Sequence, residues 1–399
     1  MKRVLIYGAV KHAIEKAKEF GYYVIVVDQN DGLPIYNADE FKKLSFDDLE
    51  ANLEFAKEKQ VDGIVNATDY AVIVSSYVAE QLGFPGLEYK IAKLVKNKYD
   101  IRKRMQEKGI TSVPQFFAIH NKNELEEIKD KIKFPIILKP ANGLGSLHVY
   151  RIDNFEDLNE KIEEVIEGSN NLNSNEDGTA LIETFIEGQE YGVETFVYDG
   201  KVHILAVMKK EMTELPFRSE LGHIVPSGLD TNTLNEIEKA INDLINALGI
   251  KCSAVNFDLI LSSEDNKPYI VDVGARMGGN GITSHIVPLS TGIDHVGNII
   301  KYAMQDDSID LEHKHDKSVV TRILNMDEGT IKELPDFDKY KDEEVAYISF
   351  EKKVGDTIEK YISDAQRCGF MVVYGNILDD VYKKANNIKS QINNDIIRE

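Results

Sequence analysis

Tryptophan is absent from the 399-residue chain, and cysteine occurs only as Cys252 and Cys368. Two cysteines supply neither a disulfide framework nor a metal cluster, so we expect two reduced thiols in a cytoplasmic protein. No run of about 18 apolar residues occurs, so we expect no transmembrane helix. The apolar stretch before Gly8 is too short for a signal peptide and resembles a first β-strand.

Positively charged residues are also fewer than negatively charged ones. The 47 Lys and Arg residues are outnumbered by 68 Asp and Glu residues, which gives a formal net charge of −21. This balance argues against a sequence-independent nucleic-acid binder, which needs cations to displace counterions, and against docking on an anionic membrane. The 42% hydrophobic share is typical of a globular protein, and the length predicts two or three domains of roughly 100–200 residues each.

The first 90 residues alternate strand and helix patterns. Short apolar strands are predicted at Val4–Tyr7, Tyr23–Val27 and Gly63–Asn66, with helices between them. Such alternation indicates βαβ units and a parallel, Rossmann-like sheet. A dinucleotide-binding function is disfavoured, because Gly8 stands without the further glycines of the pyrophosphate fingerprint.

After a turn at Phe84-Pro85-Gly86, the pattern predicts a basic amphipathic helix over 91–110 and a polar loop over 168–178. Several further strands and a helix at 232–248 follow. Beyond residue 318 the chain is predicted to form a small α+β unit.

Three segments carry candidate chemistry. The first runs from Lys139 through Gly143, Gly145 and Ser146, where a lysine ends a strand and a glycine-rich loop follows. Glycines allow backbone N–H groups to converge on phosphate oxygens, and the lysine adds a point charge. A plain hairpin turn explains this segment equally well.

The second segment, residues 181–190, places Glu183 and Glu190 around an apolar strand end. Such acids can accept hydrogen bonds from ribose hydroxyls, while the backbone at Phe185–Ile186 can read the edge of an adenine ring. A surface strand with solvated acids is the alternative.

In the third segment, Asp258 and Asp272 lie on two strands that are predicted to pair as a hairpin. Antiparallel pairing would bring the two carboxylates together, where they repel each other unless a cation lies between them. Carboxylates together with nucleotide phosphates are the usual ligands of Mg²⁺. Arg276, four residues further on, is suited to neutralising a transferring phosphoryl group.

In this order and spacing, the three segments resemble the ATP-grasp superfamily of ATP-dependent carboxylate–amine ligases, over essentially the whole chain. The resemblance implies a mixed α/β and α+β fold. Its parts would be a Rossmann-like pre-ATP-grasp domain (1–90), a two-lobed ATP-grasp core (91–317, with a mobile lid at about 112–182) and a small carboxyl-terminal α+β domain (318–399).

The resemblance also implies residue roles. Nucleotide-binding positions would be Lys98, Lys139, Gly143, Gly145, Ser146, Glu183, Phe185, Ile186 and Glu190. Asp258 and Asp272 match the metal carboxylates for Mg²⁺, or alternatively Mn²⁺. The family more often has glutamates there, with an asparagine two residues after the second, where this chain has Gly274.

The segment Glu220-Leu-Gly-His223-Ile-Val-Pro226 resembles a substrate loop of the L-amino acid ligases. By that match Glu220 would hold a substrate amine, His223 or Arg276 the acyl phosphate, and Lys210 the γ-phosphate. For His223, a turn position without a ligand is the alternative.

The implied activity activates a carboxylate as an acyl phosphate and joins it to an amine (or a thiol), most like the L-amino acid ligase branch, with release of ADP and phosphate. A purine-pathway ligase such as phosphoribosylamine–glycine ligase and a non-catalytic ATP-binding module are the alternatives. Small-molecule substrates and possible homodimerisation are family expectations.

Overall fold

The computed structural model of the chain describes residues 1–142, 148–172, 178–215 and 217–399. The amino-terminal sheet is parallel, with strand order β3-β2-β1-β4. Its strands β1 and β2 are almost completely buried because helices cover both faces, as their continuous apolar sequences predict. The elements of this region are β1 (Arg3–Tyr7), α1 (Lys11–Glu19), β2 (Tyr23–Asp28), β3 (Glu40–Lys43), α2 (Leu49–Lys59), β4 (Gly63–Asn66) and α3 (Val72–Leu82).

The single helix predicted over 91–110 is wrong, because two helices occupy this segment, α4 (Tyr89–Val95) and α5 (Lys98–Glu107). Asn97 separates them in an extended conformation, and its side chain accepts hydrogen bonds from the backbone N–H groups of Tyr99 and Asp100. This N-cap starts a new helix at Lys98 and fixes the position of that lysine.

A small antiparallel sheet follows, with strand order β5-β8-β6-β7. Helix α7 continues to Leu172, so the predicted polar loop over 168–178 is wrong for its first five residues. The elements are β5 (Phe116–Ile119), α6 (Leu125–Ile128), β6 (Ile136–Pro140), β7 (Tyr150–Ile152), α7 (Phe155–Leu172) and β8 (Ala180–Thr184).

The central sheet has eight antiparallel-paired strands in the order β13-β12-β9-β10-β11-β14-β18-β16. Helix α8 packs on it through an apolar face that includes Ile237, Ile241 and Leu244; Asp230 caps its start and Gly249, in the left-handed conformation, ends it. The elements up to residue 317 are β9 (Gly188–Tyr198), β10 (Lys201–Met212), β11 (Glu220–Val225), α8 (Thr231–Leu248), β12 (Ser253–Ser262), β13 (Pro268–Gly274), α9 (Val287–Thr291) and α10 (His295–Ala303).

The carboxyl-terminal elements complete this sheet and add a three-stranded ribbon of order β17-β15-β19. They are β14 (Ser318–Ile323), β15 (Gly329–Glu333), β16 (Val345–Phe350), β17 (Thr357–Ile358), β18 (Gly369–Gly375), α11 (Leu378–Asp395) and β19 (Ile397–Arg398). The predicted fold class is confirmed. The division at 317/318 falls between strands of one sheet, and the domain boundaries stay predictions.

Among the described residues, no helix is both long enough and apolar enough to cross a membrane.

Candidate active site

Two neighbouring clefts open beside the central sheet, each with a volume of about 240 Å³. The first, which we call the outer cleft, lies between the small antiparallel sheet and the central sheet, and Lys139, Phe185 and Val271 are among its walls. The second, the inner cleft, reaches from Asp69 to Asp364 and is lined by residues from all three parts of the chain.

The two clefts meet at a common wall. Six residues line both clefts: Lys98, Lys210, Met212, Arg218, Asp258 and Asp272. Four of them are predicted site residues that lie far apart in the sequence. A group bound in the outer cleft can therefore contact a group bound in the inner cleft beside these six residues.

The predicted pairing of Asp258 with Asp272 is confirmed, because the two residues are cross-strand partners in the β12–β13 hairpin. Their side chains are 34% and 47% exposed, so both remain accessible from the clefts. Asp258 Oδ1 lies 3.0 Å from Lys210 Nζ, and Asp272 Oδ1 lies 3.2 Å from Lys98 Nζ. Desolvation in the cleft would raise the pKa of Asp272, but the ammonium groups of Lys98 and Lys139 lower it overall.

The donor chemistry of this pair fits a divalent cation. Within the described ranges, no group of three or more His, Cys, Asp or Glu side chains is arranged to hold a metal ion. Mg²⁺ is commonly bound by one or two carboxylates together with substrate phosphates rather than by an all-protein cage. Asp258 and Asp272, two partly exposed oxygen donors on adjacent strands, match that mode.

Gly274 lies next to this pair and beside Arg276. A Cβ atom at Gly274 would lie 3.4 Å from the guanidinium carbon of Arg276, which is an ordinary van der Waals contact. Across the ladder from Gly274 lies Asn256, whose amide lines the inner cleft and donates to Glu194 Oε2 at 3.0 Å. An asparagine therefore borders this part of the site from the neighbouring strand.

Lys139 belongs to a buried ionic cluster at the base of the outer cleft. Its Nζ lies 2.6 Å from Glu183 Oε2, and Arg102 donates to the other carboxylate oxygen, Oε1. Burial would raise the pKa of Glu183, but Arg102 and Lys139 lower it overall. Burial, Arg102 and Lys98 lower the pKa of Lys139 more than Glu183 raises it. Both oxygens of Glu183 are thus occupied by cations of the protein itself.

The other positions expected to contact a nucleotide line the outer cleft. Phe185 and Ile186 form part of its apolar wall, and the guanidinium of Arg151 lies 4.7 Å from the centre of the Phe185 ring. Glu190 accepts hydrogen bonds from Arg218, whose Nε lies 3.1 Å from Oε1. An apolar cleft whose walls also carry acids and arginines suits an aromatic base attached to a sugar.

Gly143, Gly145 and Ser146 lie outside the described residues. His148, the first described residue after them, has a φ of 55°, and its Nδ1 lies 3.4 Å from Glu164 Oε1. The histidine thus makes a contact to α7 that a glycine at this position could not make.

Glu220 and His223 face the inner cleft from β11. Glu220 Oε1 accepts a 2.8 Å hydrogen bond from Asn280 Nδ2, and Oε2 lies 3.5 Å from Lys210 Nζ. Burial would raise the pKa of Glu220, but His223 and Lys210 lower it overall, so the carboxylate form is favoured.

His223 is 1% exposed, and burial lowers its pKa. Among the described residues, its buried Nδ1 has no hydrogen-bond partner, and it lies 3.4 Å from Glu220 Oε1. The Glu220 carboxylate, which is 15% exposed and lies beside the His223 ring, is suited to holding a cationic group that enters from the cleft.

Arg276 lines the inner cleft, with Nε 3.7 Å from Asp69 Oδ1 and Nη1 donating to the carbonyl of Met277 at 3.0 Å. The structure brings Arg276, Lys210, Glu220 and His223 to one cleft, as the predicted roles require.

Sequence reasoning missed Arg102, which lies behind the outer cleft, and four residues that line the clefts: Arg151, Arg218, Asn280 and Asp364. Arg102 carried one local signal, because it lies four residues after Lys98 and therefore on the same face of a helix. The others depend on contacts between distant segments.

Comparisons with known proteins agree with this geometry. Residues 132–284 match the ATP-grasp domain. The chain is similar to the L-arginine-specific L-amino acid ligase of Bacillus subtilis, with 24% identity over 238 residues, 59% of this chain and 56% of the relative. The match thus spans about half the length of that relative.

Among solved structures, the L-amino acid ligase from Bacillus licheniformis superposes with a TM-score of 0.86 and 24% identity, covering 100% of this chain and 99% of that one. Phosphoribosylglycinamide synthetase from Anaerococcus prevotii superposes with a TM-score of 0.78 and 25% identity, covering 100% of both chains.

Proposed function

Because the chain carries an ATP-grasp domain, we propose that it is an ATP-dependent ligase that joins a carboxylate to an amine, with an amino acid as one substrate. The products are an amide, ADP and phosphate. The observation that carries the proposal is the common wall of Lys98, Lys210, Asp258 and Asp272 between the two clefts.

In this proposal, the outer cleft holds the nucleotide. The adenine ring lies against Phe185 and Ile186, Glu190 accepts hydrogen bonds from the ribose, and Lys98 and Lys139 face the phosphates. Asp258 and Asp272 hold Mg²⁺, which when bound neutralises phosphate charge.

The inner cleft holds the carboxylate substrate and the amine. A carboxylate oxygen attacks the γ-phosphorus, the bond to the β-phosphate oxygen breaks, and ADP leaves. The amine then attacks the acyl carbon of the acyl phosphate, loses a proton and expels inorganic phosphate. Arg276 and Lys210 stabilise the charge on the transferring group, and positioning supplies much of the rate enhancement.

Glu220 orients the substrate amine in this scheme. Its carboxylate is held in place by Asn280 and faces the cleft that Arg276 also lines. The ammonium group of the amino acid whose carboxylate is activated gains a charge-assisted hydrogen bond there, and the carboxylate of the same amino acid is directed toward Arg276. This separation of charges favours an amino acid as the activated substrate. The attacking amine belongs to the second substrate and is uncharged when it attacks.

The test is a phosphate-release screen of carboxylate and amine pairs with saturating Mg-ATP, with chromatographic separation of ADP from AMP. We expect phosphate and ADP in equal amounts, dependent on an amino acid. Asp272→Asn should abolish the release, while the matched variant Asp243→Asn, an exposed acid on α8, should not change it. Release of AMP, or release that ignores the second substrate, would overturn the proposal.

A second candidate is a ligase that joins glycine to phosphoribosylamine, favoured by the full-length superposition on the Anaerococcus prevotii structure. It predicts ADP formation with phosphoribosylamine and glycine and no activity with pairs of amino acids. The non-catalytic alternative, suggested by Gly274, predicts nucleotide binding without turnover; Asn256 across the ladder supplies a nearby amide that weakens its premise.

A further inference from the structure

A buried arginine lies behind the outer cleft without lining it. Arg102 is fully buried, extends from α5 and is absent from the walls of both clefts. Its Nε donates to Glu183 Oε1, and its Nη2 donates to the carbonyl oxygen of Val271 at 2.7 Å. It therefore joins the small antiparallel sheet, through β8, to the central sheet, through β13.

Lys139 uses the same two partners. Its Nζ lies 2.6 Å from Glu183 Oε2 and donates to the Val271 carbonyl at 3.4 Å. Unlike Arg102, Lys139 lines the outer cleft. Lys139, which reaches the outer cleft, and Arg102, which does not, thus share the Glu183 carboxylate and the Val271 carbonyl.

This sharing has an electrostatic consequence. If Lys139 were the only cation beside Glu183, turning it toward a phosphate would leave a buried carboxylate uncompensated, which is strongly unfavourable. With Arg102 in place, Glu183 keeps a charged partner and Val271 keeps a donor when Lys139 turns. Arginine suits this task because its planar guanidinium keeps its charge when buried and contacts two acceptors in fixed geometry.

We propose that Arg102 is a positioning residue for nucleotide binding, which keeps Glu183 compensated so that Lys139 is available to the phosphates. This inference rests on the proposed function. It gives Glu183 the role of an internal counter-ion rather than that of an acceptor for the nucleotide.

The experiment measures binding of a non-hydrolysable Mg-ATP analogue by calorimetry, and folding by thermal unfolding, on four full-length variants. Arg102→Met should weaken binding about tenfold or more, since Lys139 becomes committed to Glu183. Glu183→Gln removes the carboxylate that competes with the phosphates for Lys139, and it is the single-variant reference for the double variant. In the double variant, Glu183→Gln should restore most of the affinity lost in Arg102→Met. Arg104→Met, on the same helix but 38% exposed, is the matched control and should bind like the wild type.

The double variant separates positioning from a purely structural role, because coupled residues give non-additive changes. If the affinity losses simply add, or if Arg102→Met binds like Arg104→Met, the inference is overturned. If Arg102→Met does not fold, Arg102→Lys replaces it, with a smaller loss that Glu183→Gln should again reverse; additive losses overturn the inference there too. Absence of analogue binding by the wild-type protein would instead contradict the proposed function.

Discussion

Replacing Lys210 with methionine should cost both stability and activity, because one ammonium group serves two carboxylates. Lys210 Nζ lies 3.0 Å from Asp258 Oδ1 and 3.5 Å from Glu220 Oε2, and the lysine side chain is 7% exposed. Burial would lower the pKa of Lys210, but Asp258 and Glu220 raise it well above its ordinary value. The charged form of the lysine is therefore favoured at neutral pH.

The size of the effect follows from these distances. At an effective dielectric constant of about 20, each contact corresponds to roughly 5 kcal/mol of gross attraction. Removing one partner of a buried pair costs about 3–5 kcal/mol, because the remaining charge is uncompensated. Asp258 is 34% exposed, so solvent screens its share, and we expect a net loss of about 2–4 kcal/mol in the free energy of unfolding.

Urea unfolding of Lys210→Met, with and without Mg²⁺, tests this reasoning. The matched control is Lys209→Met, the adjacent position on β10, whose side chain points to the other face of the sheet. Without Lys210, Asp258 and Asp272 should repel each other more and attract a divalent cation more strongly. Mg²⁺ should therefore restore part of the stability of Lys210→Met and affect Lys209→Met much less.

Two results would refute this account. Equal stability of the two variants would mean that Lys210 does not compensate buried charge. An equal response to Mg²⁺ would mean that Lys210 and a cation do not share Asp258. Turnover of the proposed reaction should also fall about a hundredfold or more in Lys210→Met alone.

Three further outcomes are expected. Gly222→Ala should lower the free energy of unfolding by more than about 2 kcal/mol in urea unfolding, because Gly222 has a φ of 149° and a Cβ there would lie 2.1 Å from the Thr321 carbonyl oxygen. The control Gly200→Ala, at a φ of 73° and with no described atom within 4 Å of the added Cβ, should lower it less. Hydrogen bonds from Lys161 and Tyr150 lower the pKa of Glu164 to about 2 from an ordinary value of 4.5. The contribution of Glu164 to stability is therefore present above pH 4.5 and is lost as pH falls toward 2. Acid titration of Glu164→Gln should lack this loss of stability. Calorimetry should show that Mg²⁺ strengthens nucleotide binding to the wild type and has little effect in Asp258→Asn/Asp272→Asn.

Local patterns in the sequence predicted much of the fold and part of the site. Strand alternation and the short turn between the two strands were enough to predict the β12–β13 hairpin, whereas a register shift between Asp258 and Leu259 places Asp258 opposite Asp272. The buried strands β1 and β2 and the capped helix α8 were also predicted. Each depends on residues that are near neighbours in the chain.

Contacts between distant segments were beyond such reasoning. Arg102 and Glu183 are 81 residues apart, and Arg218 and Glu190 are 28 apart, so no helix or strand period relates them. The join of β11 to β14, which places the Glu220 strand beside the carboxyl-terminal elements, likewise depends on tertiary packing. The break between α4 and α5 was readable in principle, since Asn97 is a strong N-cap residue.

The arrangement of charges also changes how the cleft must work. Lys98 and Lys210 are predicted site residues in a chain with an excess of acids, yet at the common wall Lys98 is paired with Asp272 and Lys210 with Asp258. Behind them Lys139 and Arg102 share Glu183.

A nucleotide without a cation would have to draw each lysine away from a carboxylate. The unpaired carboxylates would then offset most of the free energy gained from the lysine–phosphate contacts. When the aspartates are neutralised by a divalent cation, the lysines become available to the phosphates without that cost. Cation and nucleotide should therefore strengthen each other's binding reciprocally, as thermodynamic linkage requires. A chain with a net charge of −21 can thus bind a polyanion, because the lysines of this wall, rather than the sum over the surface, determine the local field.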